Sequence, residues 1–543
     1  MTRTRAAQLL VAAGSIAGLL VAPAAHAVEI TSIAQLGQAA NDPGGATLHF
    51  GQGIGTYTSN VAASHPGIAA FATPLTSTAD TAIYAGTPGS LTQIARDGRQ
   101  AAGLAADINY DGFGFPILSA NGAHLAFQAH LSGPGVTFAV DDAAAFVGSA
   151  GGGGVTAVAR AGMQAPGLPA GVTFASSASP SVSNAGQMLF DAWVSGPGVT
   201  PMVNDQVIYA GTPAAPQLLA RTGSQAAALP AGVNYAYFGV TGQNAAGVVA
   251  FPAGLTGPGT NPDLDEAFLV GQPGALAVVA RTGDQAPELP AGVKFGFLDY
   301  ISVNTAGKLL YQAELTGPGV DASNDYGLWS GPAGATQLVW RVGDQAPGAA
   351  AGALFTFMYN YEYSESGDVA LRARVGGAGV DDSNDVGIWL GNEDGLDLIA
   401  REGAPAPGLG GGQLFHSLFA LAISPGGRAA FSATFGPTGA GEGLWITDDA
   451  GELRKLLATG DVVDIDGVPR TVSDLYFEGQ PTDEHLAMDA SDRLYVRLSF
   501  ADGHEGVYAV RLPEPAALPA AAALAGLLSL RRRRRRSSSH APA

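Results

Sequence analysis

From Asn304 onward the chain alternates apolar and polar positions in short runs, "GKLLYQAEL", "YGLWSG" and "TQLVWRVG". Each run is bounded by glycine, proline or asparagine. A period of two between such breaks predicts half-buried β-strands. The preceding "VKFGFLDYISV" predicts a fourth strand, and Gly-Pro-Gly and Pro-Ala-Gly punctuate the gaps. No helical period competes within this stretch.

The pattern repeats. One element reads "NAAGVVAFPAGLTGPG" from Asn244, "NTAGKLLYQAELTGPG" from Asn304 and "SPGGRAAFSATFGPTG" from Ser424. Its key apolar position falls at Phe71, Phe127, Phe190, Phe251, Tyr311, Leu371, Phe431 and Val496. A second element reads "ARTGDQAPELPAG" in one copy; its arginine recurs at Arg96, Arg160, Arg221, Arg281, Arg341 and Arg401, with Ala458 in that place in "LLATGD". Four strands in a repeat of about 60 residues predict an all-β fold, a β-propeller of four-stranded blades. A right-handed β-helix competes, but its rungs are shorter and its strands parallel.

The ends set the blade number. After seven repeats the chain finishes on two runs, "RLYVRLSF" and "GVYAVRL". The segment "ITSIAQLGQAANDPGGATLHF" near the start aligns with the second half of a repeat, Gln35 in the arginine's place and Gly37 in the glycine's. Two strands from each end would complete an eighth blade and leave no open edge. Eight blades closed by both termini are therefore expected, with seven as the alternative.

Residues 1–27 carry Arg3 and Arg5, an apolar run and the small-x-small site Ala25-His26-Ala27, the pattern of a secretory signal peptide. At the other end Pro513, Glu514 and Pro515 precede an apolar run, too short to cross a bilayer comfortably, and six arginines opened by Arg531, Arg532 and Arg533. This order resembles the PEP-CTERM sorting domain of Gram-negative bacteria. The resemblance implies transient inner-membrane anchoring through the C-terminal helix, the arginines staying cytoplasmic. It also implies cleavage near the motif by an exosortase, and a final place at the cell surface, outer envelope or outside the cell. The first repeat element resembles the NxxGxxAF repeat of large exported bacterial proteins, with His124 in place of the glycine and Ser364 and Ser424 in place of the asparagine. The expected organisation is a signal peptide at 1–27, the propeller at 28–511, the sorting segment at 512–536 and a disordered tail at 537–543.

Charge narrows the partners. The chain has 46 acidic and 26 basic residues, and 18 basic residues remain without Arg3, Arg5 and the C-terminal six. Nucleic acid and anionic lipid need clustered Lys and Arg and are not expected. Cysteine is absent, so stability comes from packing.

Candidate chemistry is sparse. The chain lacks H-E-x-x-H, G-x-S-x-G and P-loop signatures. His124 and His130 stand at i, i+6, which is no ligand spacing. The recurring arginine reads as a tie between blades, with Asp284 and Asp344 as carboxylate partners. "DASNDYG" and "DDSNDVG" place Asp321, Asp325, Asp381 and Asp385 on tight loops, which read either as solvated turns or as oxygen ligands for calcium. No other cofactor is implied. "FMYNYEY" puts Phe357, Tyr359, Tyr361 and Tyr363 at period two, on one face if extended, to pack in the core or stack on sugar. The expected function is an exported, non-enzymatic binding or scaffolding propeller, with extracellular polysaccharide as partner. Calcium or glycan would then bind the face carrying Asp263, Asp265, Asp321, Asp325, Asp381 and Asp385. The alternative is a glycosidase-like propeller hydrolase using carboxylates at the central mouth.

Overall fold

A computed structural model describes residues 28–35, 37–39, 47–48, 62–63, 67–75, 80–177, 180–261, 265–476 and 487–513. Ala25, Ala27, Asp263, Glu514, Pro515 and Arg531 to Arg533 lie outside them; Pro513 is the last described residue. Among the described residues no helix is long and apolar enough to cross a membrane. Residues Glu29–Arg511 form one compact unit of eight antiparallel sheets, the eight-bladed propeller expected from the repeats. In the fifth blade, strands Lys294–Val303, Lys308–Thr316, Tyr326–Pro332 and Gln337–Arg341 pair in chain order, inner to outer.

The core lies between blades. One cluster joins Leu310, Leu328 and Trp340 of the fifth blade to Phe355, Leu371 and Trp389 of the sixth. The key apolar position is buried in all eight blades. In five blades it stacks on an aromatic of the third strand at the paired register, as for Phe127 on Phe146 and Tyr311 on Trp329. Trp329, Trp389 and Trp445 then donate their indole N–H to the carbonyls of Pro287, Pro347 and Pro407 in the loop entering their blade, at 3.2, 2.9 and 3.0 Å. For these three tryptophans the burial of a large apolar ring comes with its polar atom satisfied. Gly327 makes room for this: a Cβ there would come within 2.6 Å of the Trp329 ring.

Two small motifs fix the loops. Gln285 donates to the carbonyls of Ala286, Leu289 and Pro290 and accepts from the Gly292 amide, clasping the loop that enters the next blade. Gln164, Gln225 and Gln345 do the same. In the turn from first to second strand, Asn244 and Asn304 each accept the amide four residues on, at 3.0 Å, and donate to Asn304 and Glu365 of the next blade. Ser119, Ser183, Ser364, Ser424 and Asp489 accept the corresponding amide elsewhere. In the second blade the turn closes on Gly122, at φ +68, so His124 does not replace the glycine.

Closure differs from the two-plus-two arrangement. The last blade takes three strands from the C-terminal side, Val468–Tyr476, Leu494–Phe500 and Glu505–Arg511, and one from the start, Glu29–Gln35. Three-plus-one closure follows because "VPRTVSDLY" forms the inner strand; it also pairs with Val462–Ile465 in a hairpin. Thr47 and Leu48 instead lead into the first blade, Leu48 bridging Leu75. Ile33 and Ala34 pack with Phe71, Tyr84 and Val507, which sets the eighth blade against the first.

Candidate functional site

The far ends of the inner strands of five consecutive blades converge on one cavity of about 160 Å³. Segments contribute from Leu118, Val182, Gln243, Tyr300 to Asn304 and Tyr361 to Glu365, residues brought together only by the ring. These strands therefore surround the propeller axis. The lining combines small residues and amides with three tyrosines, Tyr300, Tyr361 and Tyr363, and two glutamates, Glu362 and Glu365. Glu365 accepts the Thr305 amide at 2.8 Å and its hydroxyl, tying two blades. Glu362 differs: its Oε1 is buried without a partner, and burial holds its carboxyl well above the ordinary carboxylate range. Burial also pushes the Tyr363 hydroxyl up to about 12.

Nearer their starts the inner strands present aromatics to solvent. Tyr237, Phe297 and Phe357 stand two residues beyond the buried Tyr235, Phe295 and Phe355. Tyr359, Phe419 and Tyr476 stand four beyond Phe355, Phe415 and Val472. All six are 39–55% exposed and come from blades four to eight in succession. In the second blade the same positions hold Gly112 and Gly114, and in the third Ser176. Among the described residues, blades four to eight therefore carry an aromatic at one or both of these strand positions, and blades two and three only small residues.

The tyrosine ladder is thus not one face. Bulges between Phe355 and Phe357 and between Met358 and Asn360 rotate the strand, leaving Phe357 and Tyr359 exposed while Tyr361 is buried. Phe357 and Tyr359 meet edge to face at 5.2 Å, and the Arg372 guanidinium lies 4.7 Å over the Tyr359 ring.

Behind the aromatics, buried polar groups bridge blades. Gln206 exchanges two hydrogen bonds with the backbone of Phe238, at 3.2 and 3.0 Å. Glu266 accepts the Leu298 amide at 2.7 Å and the Tyr237 hydroxyl, its pKa raised chiefly by burial. Glu402 accepts the Leu418 amide at 3.3 Å, Arg372 donates to the Leu418 carbonyl at 2.7 Å, and burial pushes Glu402 up to about 7. Asp299 accepts from Gln312 and Tyr326, each at 2.5 Å. Glu266 and Glu402 thus serve blade-to-blade contacts and Asp299 ties strands within the fifth blade. Sequence reasoning missed them; a polar residue at the start of the third strand (Gln206, Glu266, Glu442) was the available signal.

The acidic loops are internally closed. Asp321 and Asp381 each accept the amide and hydroxyl of Ser323 and Ser383, which lowers both carboxyls. Asp385 is buried and accepts Arg374 Nε at 2.6 Å, while the Asp325 carbonyl accepts the Leu315 amide. Among the described residues no three His, Asp or Glu gather closely enough to hold a metal. The recurring arginine ties strands within its own blade, not between blades: Arg221, Arg341 and Arg401 donate to the carbonyls of Asn204, Asn324 and Asn384, 17 residues back. Arg96 and Arg281 reach Asp80 and Asp265 instead. Asp284 accepts the Arg281 amide, not its guanidinium. His124 stands against Gly186 of the next blade while His130 meets Asp142, so they share no site.

Fold and site together define a repeat-built propeller whose accessible chemistry gathers on its axis. The chain belongs to the family of unknown function DUF7453, whose sequence profile matches residues 15–298 and 244–519. No curated protein matches it. Similar solved structures include acylaminoacyl peptidase from Pyrococcus horikoshii, at 10% identity and TM-score 0.36, covering 74% of this chain and 52% of that one. Puromycin hydrolase matches at 11% identity and TM-score 0.36, covering 81% and 58%. The β-propeller domain of the Trilobed protease from Pyrococcus furiosus matches at 8% identity and TM-score 0.35, covering 73% and 97%. The chain matches about half the length of the first peptidase. These likenesses are distant and extend to the fold alone.

Proposed function

We propose that this is an exported, exosortase-sorted binding protein of the cell envelope or extracellular matrix, non-enzymatic, whose propeller takes an extracellular polysaccharide on its axial aromatic side. The exposed arc from Tyr237 to Tyr476 carries the reading. Exposed rings side by side on a rigid strand array offer flat faces on which sugar rings stack with little loss of side-chain freedom. Polysaccharide repeats then engage several rings at once, so weak contacts add. Glu266 and Glu402, engaged in holding blades together, and Asp299, engaged within its own blade, support binding over hydrolysis. The terminal signals support export and sorting.

Affinity electrophoresis of the mature protein in gels containing its producer's extracellular polysaccharide tests the binding. A Phe357→Ala, Tyr359→Ala, Phe419→Ala variant should run unretarded. Equal retardation of both proteins, or shortening of the polysaccharide on incubation, would overturn the reading. Intact mass of the native protein tests sorting: a start near Val28 and loss of the terminal arginines are expected.

A further inference from the structure

We propose that the axial cavity is a second, independent binding site, for a small organic ammonium group seated between the tyrosines and Glu362. Four observations converge. The cavity of about 160 Å³ leaves room for on the order of ten water-sized groups, so it suits a compact ligand. Its lining includes Tyr300, Tyr361 and Tyr363 together with Glu362 and Glu365, and no lysine, arginine or histidine. Tyr300 and Tyr361 stand edge to face at 6.0 Å, coming from neighbouring blades. Glu362 Oε1 is buried and unpartnered, whereas Glu365 already serves Thr305.

Each alternative ligand class leaves something unexplained. An anion would meet two carboxyls and no positive charge. A calcium ion needs six to eight oxygen ligands, about what a cluster of carboxylates supplies, and no three acidic or imidazole groups gather among the described residues. A neutral apolar molecule would leave the buried Glu362 oxygen unsatisfied, which is unfavourable. An alkylammonium answers both halves of the lining, its charge to the carboxylate and its alkyl surface to the ring faces.

Binding is coupled to a proton. Burial raises the Glu362 carboxyl well above the ordinary carboxylate range. The titratable groups that line the cavity with it are Tyr361, Tyr363 and Glu365 on its own strand and turn and Tyr300 from the fifth blade, while Asp299 and Tyr326 act on Tyr361. The Lys308–Glu393 pair and Asp368 lie beyond Tyr363. An arriving cation stabilises the carboxylate, so the carboxyl O–H breaks, its proton passes to solvent, and carboxylate and ammonium remain as an ion pair. Affinity therefore rises with pH.

Calorimetry on the mature protein with tetramethylammonium chloride tests this, with tert-butanol as the neutral control of similar shape. One equivalent should bind, about ten-fold more tightly at about pH 8.5 than at about pH 5.5. Heats should depend on the buffer's ionisation enthalpy, reporting the released proton. Glu362→Gln keeps the side-chain shape and should lose the pH dependence and about ten-fold in affinity; Tyr300→Leu should weaken tetramethylammonium more than methylammonium. Neither variant should alter polysaccharide retardation, which separates this site from the aromatic arc. Equal binding of tert-butanol, undiminished binding by Glu362→Gln, or calcium heat that Glu362→Gln abolishes would each overturn the proposal.

Discussion

Arg511 Nε donates to Glu29 Oε2 at 2.7 Å, joining the last residue of the closing strand to the first residue of the opening one. The contact marks a seam in which Ile30 faces Val510 and Gln35 faces Gly506. Asp466, at the tip of the neighbouring hairpin, accepts from Ser32 and Gln35 and steadies the same strand.

The seam's strength lies in its strand pairing and burial. Removing Glu29–Gln35 exposes the edge of Glu505–Arg511 and withdraws Ile33 and Ala34 from the core. We expect oligomers by light scattering and a clear fall in melting temperature. Arg511→Ala, by contrast, removes an ion pair open to water, worth at most about 1 kcal/mol. A truncated protein that stays monomeric with unchanged melting would show that the ring does not close here.

The glutamine clasps should act independently. Each Gln→Ala at positions 164, 225, 285 and 345 removes donors to loop carbonyls and an acceptor for a glycine amide. Each should cost about 1 kcal/mol. Because they sit in separate blades, their melting-temperature shifts should sum. A quadruple variant that melts like the wild type would mean that the prolines and glycines alone hold these loops.

Glu402 makes stability fall as pH rises. In the folded protein it keeps its proton to about pH 7, against an ordinary value of 4.5. Between those values the native state binds more protons than the unfolded one, so stability is fully present on the acid side and is lost through neutrality, by at most about 3 kcal/mol. Glu402→Gln, which copies Gln206, should melt higher than the wild type at about pH 8 and no higher at about pH 5. The same difference at both pH values would sink the assignment.

Calcium at the acidic loops would have to compete with existing partners. The guanidinium of Arg374 occupies Asp385, and serine groups occupy Asp321 and Asp381. We expect at most millimolar-class affinity in calorimetry, lost when Asp321, Asp325, Asp381 and Asp385 become alanine and strengthened by Arg374→Ala. Matching silent traces from all three proteins would leave the loops as solvated turns.

The repeat made most of the fold legible, since the buried apolar side chain at Phe71 through Val496 and its bounding turns recur in every blade. The strand Val468–Tyr476 escaped notice because Val472 stands where its counterparts carry a buried aromatic such as Phe295, and its place is defined by its neighbour's register. The split of the "FMYNYEY" ladder was hidden too, because a bulge changes which face a side chain takes without changing residue type. The arginine's partner is a backbone carbonyl, which leaves no residue-type trace. The cavity joins residues from Leu118 to Glu365, and only the closed ring makes them neighbours.

The direction of the seam has a mechanical consequence. Because the two strands run antiparallel, Glu29 and Arg511 lie at the same end of the pair, with Gln35 and Gly506 at the other. Tension applied between the two chain ends would load the hydrogen bonds one at a time from Glu29 inward, as a zipper opens, and would meet little resistance. Tension through Arg511 alone is carried differently. That strand is flanked on both sides, by Leu494–Phe500 and Glu29–Gln35, and shares the load with both. A protein held by its C-terminal side with a free start keeps its ring shut under drag, whereas one held at both ends would part along this line first.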